Sequence, residues 1–115
     1  MVGKEIVKRY EAGQRDFSRA NLRYADLTGG ILSEADLTQA DLTGANLSGA
    51  NLTRANLSYT YLVFANLTQA DLTGAILRGT HLSYANLIGA QVTAEQLDQA
   101  RSPYGAIMPD GTVHR

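Results

Sequence analysis

Every fifth residue from Phe17 to Leu97 is leucine, apart from Phe17 itself and Val92, and alanine usually stands two positions before it. In an α-helix a step of five residues turns about 500°, so successive leucines would spread around the whole helix. In a straight β-strand an odd step would send successive leucines to opposite faces. The pattern therefore predicts a chain that changes direction once per repeat and winds as a solenoid, with leucine and alanine pointing inward.

Two segments flank this pattern. Residues 1–14 have the spacing of a short amphipathic helix that stops at Gly13, and we expect this helix to cap one end of the solenoid. Residues 93–115 leave the repeat at Thr93, which begins a capping box with Gln96 and predicts a C-terminal capping helix. An irregular tail is expected to follow. Two capped ends predict a monomer, because open ends of a solenoid invite end-to-end growth.

Between these flanks, residues 15–94 repeat a five-residue unit, which reads Ala-Asp-Leu-Thr-Gly at Ala40–Gly44, then Ala-Asn-Leu-Ser-Gly and Ala-Asn-Leu-Thr-Arg. About sixteen such units follow one another, and the chain resembles the pentapeptide-repeat protein family. The resemblance implies an all-β solenoid, a right-handed quadrilateral parallel β-helix of about four coils, with twenty residues per coil and one unit per side. The tail sequence GAIMPDGT is similar to tails of cyanobacterial members.

Departures from the consensus independently favour a twenty-residue coil, in which residues twenty apart stack at the ~4.8 Å strand spacing. Thr60 and Thr80 replace inward alanines in consecutive coils, where their hydroxyls could bond to each other or to the backbone. Glu34 and Arg54 become neighbours of opposite charge. A fifteen-residue coil would separate both pairs.

The repeat also predicts the core and the outer surface. The residue before each leucine is usually Asp or Asn, which should point outward and bond to nearby turn amides through its side-chain oxygen. The leucines should fill the interior, and alanine is needed beside them because the coil has no room for a second large side chain. The structural core is expected to contain Leu22, Leu27, Leu42, Leu47, Leu52, Leu67 and Leu72.

One stretch breaks the small and polar character of the outer surface. Residues 59–64 place Tyr59, Tyr61, Val63 and Phe64 at positions that are elsewhere small or polar. Exposed apolar clusters of this kind mark partner surfaces. An alternative of equal weight is that a terminal segment folds back and covers the cluster. With the residues that should stack on the same side, the candidate partner surface is Tyr24, Tyr59, Tyr61, Val63, Phe64 and Tyr84.

The composition argues mainly against certain kinds of partner, cross-link and location. The 115 residues include 10 basic and 11 acidic side chains and no cysteine, which argues against a nucleic-acid partner and against disulfides or thiolate metal sites. No stretch is apolar enough to span a membrane, and the charged start lacks a secretory core, so the expected location is the cytoplasm.

Catalytic chemistry is also not expected. His81 and Asp41 should share one outward column but be separated by Tyr61, which is too far for a direct pair. The second histidine, His114, lies in the tail. We therefore predict no catalytic residue, no metal, no cofactor and no small-molecule substrate.

The sequence thus favours a non-enzymatic module or small scaffold that binds an unidentified protein partner. The alternative comes from family members that resemble the DNA duplex in width and charge and act on DNA gyrase as mimics. That alternative requires a long acidic rod. The near-neutral charge and short array of this chain disfavour it.

Overall fold

The computed structural model describes residues 2–115, and a helix stands at each end of the repeat array. Helix α1 spans Gly3–Glu11 and helix α2 spans Ala94–Asp98. Between them, no side of the coil is long enough to form an extended strand, and the chain pairs through single parallel bridges instead. The molecule is a short rod of 39 × 21 × 20 Å.

The bridges define a coil of twenty residues. They join residues twenty positions apart on each of the four sides, from Asp16 with Asp36 to Asp71 with Gln91. Four five-residue units therefore make one turn of the solenoid, as the sequence predicts. The right-handed direction of winding stays a prediction.

Three backbone hydrogen bonds per unit connect one coil to the next. The Leu22 N–H donates to the Asp41 carbonyl at 2.8 Å, the Tyr24 N–H donates to the Thr43 carbonyl at 2.9 Å, and the Asp41 N–H donates to the Ala20 carbonyl at 2.9 Å. The same bonds recur along the array. Short sides can therefore satisfy their backbone polar groups without long strands.

The interior is a narrow column of leucine and alanine. The predicted core leucines are all at most 2 % exposed: Leu22, Leu27, Leu42, Leu47, Leu52, Leu67 and Leu72. Each contributes roughly 1.5–3 kcal/mol relative to an exposed side chain. The core is continuous from α1 to the last coil, since Ile6 of the helix is also fully buried.

The two buried threonines bond to the backbone rather than to each other. The Thr60 hydroxyl donates to the Leu37 carbonyl at 2.7 Å, and the Thr80 hydroxyl donates to the Leu57 carbonyl at the same distance. Each hydroxyl thus reaches the carbonyl of the preceding coil. Both buried groups are satisfied, which removes the cost of placing them in an apolar interior.

Outward Asp and Asn side chains stabilise the following turn in the units that contain them, as expected. Their Oδ1 atoms accept the backbone N–H two residues later at 3.0–3.2 Å, for example from Ser48, Thr53 and Thr68. Where the residue is aspartate, these bonds favour the ionised form. The hydroxyl and amide of Thr73 accordingly hold the pKa of the Asp71 carboxyl below its usual value.

Helix α1 and the residues that follow it pack on the first coil through polar as well as apolar contacts. The Tyr10 hydroxyl donates to the Ser33 carbonyl at 2.8 Å, and Gln14 Nε2 donates to the Asp16 carbonyl at 2.7 Å. In an inner coil, such carbonyls accept N–H groups of the coil before them. These two side chains replace donors that the first coil lacks.

At the other end, Gln96 of α2 has a double role. Its Oε1 accepts the Thr93 N–H at 2.8 Å, which completes the predicted capping box. Its Nε2 donates to the carbonyls of Leu72 and Ala75 at 2.8 and 2.9 Å. The side-chain amide thus supplies a hydrogen bond that a further coil would otherwise give.

The tail after α2 is not irregular, and this part of the prediction is wrong. Arg101 pairs with His81 and Ile107 pairs with Asn86, both in parallel, while Val113 pairs with Ile107 in antiparallel. Ala106, within this segment, is fully buried. The tail lacks the leucine repeat, yet exposed carbonyls and amides of the last coil still offer it a hydrogen-bonding edge, and it forms part of a fifth coil.

The double role of Gln96 leads to a test of the C-terminal end. Replacing it with glutamate keeps the acceptor for the Thr93 N–H but removes both donated bonds and places a carboxylate against two carbonyls. Gln96→Glu should lower the free energy of unfolding by about 1–3 kcal/mol in urea titrations at neutral pH. The matched variant Gln99→Glu, at an exposed position, should change it by less than about 0.5 kcal/mol. Equal losses in the two variants would contradict the role assigned to Gln96.

Candidate functional site

All six predicted surface residues lie on one side of the rod or at its two corners. This side contains residues 20–24 and the units stacked on them at 40–44, 60–64 and 80–84. We call the set the aromatic face: Tyr24, Tyr59, Tyr61, Val63, Phe64 and Tyr84. Its five rings are 40–70 % exposed, and Val63 is half-buried. The terminal segments touch the face only in part: Tyr104 of the tail packs edge-on against Tyr84 with ring centroids 5.9 Å apart, and residues 2–4 lie beside Tyr24. All five rings stay exposed, so the complete covering that the sequence left open is not seen in residues 2–115.

The rings form two short stacks along the rod. Tyr61 stacks on His81 with ring centroids 4.5 Å apart and planes within 6°, and Phe64 stacks on Tyr84 at 5.0 Å and 9°. These separations match the coil spacing of ~4.8 Å, so the ring planes lie across the rod axis. One face of each of these four rings is therefore used in stacking, and ring edges point to solvent.

Glycine supplies the space for other rings of the face. Tyr59 lies over Gly79 and Tyr24 lies over Gly44, and in both places an added Cβ would collide with the tyrosine ring. In both pairs the glycine is twenty residues after the tyrosine. We did not predict this packing from the sequence, although a bulky corner residue followed twenty positions later by glycine is a visible signal.

The corner positions also carry backbone strain. Tyr59 and Phe64 adopt positive φ values of 56° and 61°, in the left-handed region that glycine prefers. Each such residue costs roughly 1–2 kcal/mol relative to ordinary backbone. Their N–H groups still donate to the next coil, to Arg78 and Ser83 carbonyls at 2.9 and 3.0 Å. The winding therefore holds these rings in place despite the strain.

A shallow groove of about 670 Å³ runs along one edge of the aromatic face. Tyr59 and the stacked rings of Tyr61 and His81 line it. Arg19 lies at one end of the groove and Arg101 at the other. An open groove of this shape suits an extended ligand better than a compact one.

The charges around the groove are mainly positive. Arg19 donates to Gln39 Oε1 at 2.9 Å, and Arg23 forms an ion pair with Asp41 at 3.1 Å. Partial burial, together with the positive charge of Arg101, holds the pKa of the His81 imidazole below its ordinary value. His81 is therefore neutral near pH 7, where it stacks on Tyr61 without adding charge.

The structure places His81 and Asp41 as predicted, in one outward column with Tyr61 between them. Two coil spacings separate the imidazole from the carboxylate, which is beyond hydrogen-bonding distance. Among residues 2–115, no three His, Asp or Glu side chains come together as a metal-binding group. Likewise, none of the helices in that range has the length and apolar character needed to cross a bilayer.

The twenty-residue coil, the leucine column and the paired outward ladders define a repeat-built β-solenoid. The sequence model for pentapeptide repeats matches residues 16–39, 31–63 and 60–94, with eight copies of its repeat. The match covers more than half of the chain. This protein belongs to the pentapeptide repeat family.

Solved structures of cyanobacterial pentapeptide repeat proteins are similar to this chain. With alr5209 from Nostoc PCC 7120 the identity is 44 % and the TM-score 0.78, over 79 % of this chain and 75 % of that protein. With Rfr23 from Cyanothece 51142 the values are 35 % and 0.66, over 87 % and 64 % of the two chains. AT2G44920, from the Arabidopsis thaliana thylakoid lumen, is 30 % identical over 87 % and 66 %, with a TM-score of only 0.40. No curated protein matches the chain.

Because the Tyr59 ring lies over Gly79, substitution of this glycine should cost more stability than substitution of a similar glycine with no ring above it. Gly79 and Gly49 both have φ of 66°, but an added Cβ meets the Tyr59 ring only at Gly79. Gly79→Ala should therefore lower the free energy of unfolding by about 1 kcal/mol more than Gly49→Ala, because the ring must move. Urea titrations measure both losses.

A Tyr59→Ala background is the control for this comparison. Without the ring, the two glycine substitutions should cost the same. An equal loss in the wild-type background, or a difference that persists without Tyr59, would show that the ring does not lie over Gly79.

Proposed function

We propose that this pentapeptide repeat protein is a non-enzymatic interaction module or small scaffold, which binds a protein partner through the aromatic face. The observation that carries the proposal is the clustering of five exposed aromatic rings on one side of the rod. Tyrosine and phenylalanine are enriched in the centres of protein interfaces, where they bury large areas.

The fixed positions of the rings support this role. Tyr61 and Phe64 are each fixed by a stacked ring in the next coil and by the backbone bonds of the coil itself. A surface whose side chains are already held in place loses less conformational entropy when a partner binds. The rod would therefore present a preformed surface and change little on binding.

The proposal assigns no catalytic residue, cofactor or small-molecule substrate. His81 and Asp41 are the side chains nearest to an acid-base pair, and they lie two coils apart. The protein would therefore act by binding a partner with a complementary surface and not by catalysing a reaction.

The proposal also assigns the family's right-handed winding to the coil and treats α1 and α2 as its caps. Tyr10, Gln14 and Gln96 support the capping role, because their side chains bond to the carbonyls of end coils. Covered ends favour a monomer over end-to-end stacking. The proposed location is the cytoplasm, and the proposed partner is neither a membrane nor a nucleic acid.

Mimicry of DNA toward gyrase is the alternative, and the dimensions disfavour it. The rod is 39 Å long with a net charge of −1. A DNA duplex of that length carries roughly twenty negative charges. A supercoiling assay in which this protein inhibits or protects gyrase would restore the alternative.

The proposed function is tested by removing two rings of the aromatic face. The variant Tyr61→Ser with Phe64→Ser, immobilised and exposed to lysate, should lose partners that the wild-type protein captures. A matched control replaces two exposed isoleucines on other sides, Ile31→Ser with Ile76→Ser, which are 61 % and 46 % exposed. The control should retain capture, and both variants should keep the thermal stability nearly unchanged. If the Tyr61→Ser, Phe64→Ser variant still captures the partners, the aromatic face is not the binding surface.

A further inference from the structure

The groove beside the aromatic face has a charge opposite to that of the whole protein. Arg19, Arg23 and Arg101 lie on or beside this side of the rod, against the single carboxylate of Asp41, whereas the full chain has a net charge of −1. Asp41 is already paired with Arg23. The groove itself contains no acidic side chain among its lining residues. Its potential therefore favours negatively charged partners.

The orientation of the rings points to the same chemistry. The edge of an aromatic ring carries partial positive charge, and its face carries partial negative charge. Because Tyr61 and His81 stack face to face, the groove is bordered by ring edges. The hydroxyl groups of Tyr59 and Tyr61 bond to no protein group within residues 2–115 and can donate to a ligand. Ring edges and free hydroxyls both favour oxygen acceptors such as carboxylates.

The spacing of the two terminal arginines sets the length of the ligand. Arg19 belongs to the first coil and Arg101 to the fifth, so about 19 Å separates their levels along the rod. An extended peptide rises about 3.3 Å per residue, so six residues cover this distance. A compact anion cannot reach both guanidinium groups.

We infer that the groove binds an extended acidic peptide segment of the partner protein. Carboxylates near the two ends of the segment pair with Arg19 and Arg101, and a planar or branched apolar side chain between them lies along Tyr59 and Tyr61. The segment runs parallel to the rod axis. This inference rests on the proposed function and names the chemistry of the partner.

The direct test uses synthetic peptides and needs no knowledge of the natural partner. A labelled peptide Glu-Glu-Val-Tyr-Glu-Glu should bind the full-length protein in fluorescence anisotropy, and the affinity should fall as salt rises from about 50 to about 300 mM. A peptide with lysine in place of each glutamate should not bind. No binding of the acidic peptide up to about 1 mM would overturn the inference.

Two double variants with the same change in charge locate the site. Arg19→Gln with Arg101→Gln should weaken binding of the acidic peptide at least about tenfold. Arg54→Gln with Arg78→Gln removes two arginines from outside the groove and should leave the affinity unchanged. Thermal unfolding should show that both variants remain folded. Equal weakening in the two variants would indicate attraction by overall charge and would overturn the inference.

Two further outcomes separate this inference from the proposed function. A single-stranded oligonucleotide that binds the groove more tightly than the acidic peptide would overturn the assignment to a peptide. Capture of a partner that depends on Tyr61 and Phe64 but not on Arg19 and Arg101 would leave the proposed function standing and contradict the acidic segment. Loss of capture in both the aromatic and the arginine variants supports the two together.

Discussion

The structure depends on one constraint: each coil must hydrogen-bond to the next with a register of twenty residues. The register places every outward side chain over the side chain of the same position in the neighbouring coil. It therefore decides which groups become neighbours, such as Tyr61 with His81 or Glu34 with Arg54. The leucine column keeps the register, because a slip of one residue would send leucines to the surface.

The same constraint explains the ends of the molecule. A coil with no neighbour on one side leaves carbonyl and amide groups without partners, and side chains outside the repeat provide substitutes. Tyr10 and Gln14 do this at the first coil, and Gln96 does it for the Ala75 carbonyl at the other end. The tail adds further pairs through Arg101 and Ile107. Stability of the ends is thus a matter of hydrogen-bond satisfaction as much as of apolar burial.

The leucine period predicted a solenoid, the stacked departures from the consensus favoured twenty residues per coil, and the family resemblance implied four sides. With that coil length, the sequence also placed the six residues of the aromatic face together on one side of the rod or at its corners. For the Thr60 hydroxyl, the sequence offered two kinds of hydrogen-bond partner, the stacked Thr80 or the backbone. Only the direction of the side chain in the structure identifies the acceptor as the Leu37 carbonyl. Sequence reasoning missed the tail, whose pairing comes from the edge it meets rather than from its own pattern. It also missed the ring of Tyr59 over Gly79, since the direction in which a ring leans depends on contacts between coils.

Introduced cysteine pairs test the twenty-residue register most directly, because the chain has no cysteine of its own. Asn46 and Asn66 bridge neighbouring coils, at a spacing that a disulfide can span. Under mild oxidation, Asn46→Cys with Asn66→Cys should form an intramolecular disulfide, seen as a mobility shift on a non-reducing gel. Asn46→Cys with Tyr61→Cys, fifteen residues apart and on different sides of the rod, should not. The opposite result would contradict the twenty-residue coil and the stacking of every outward side chain that follows from it.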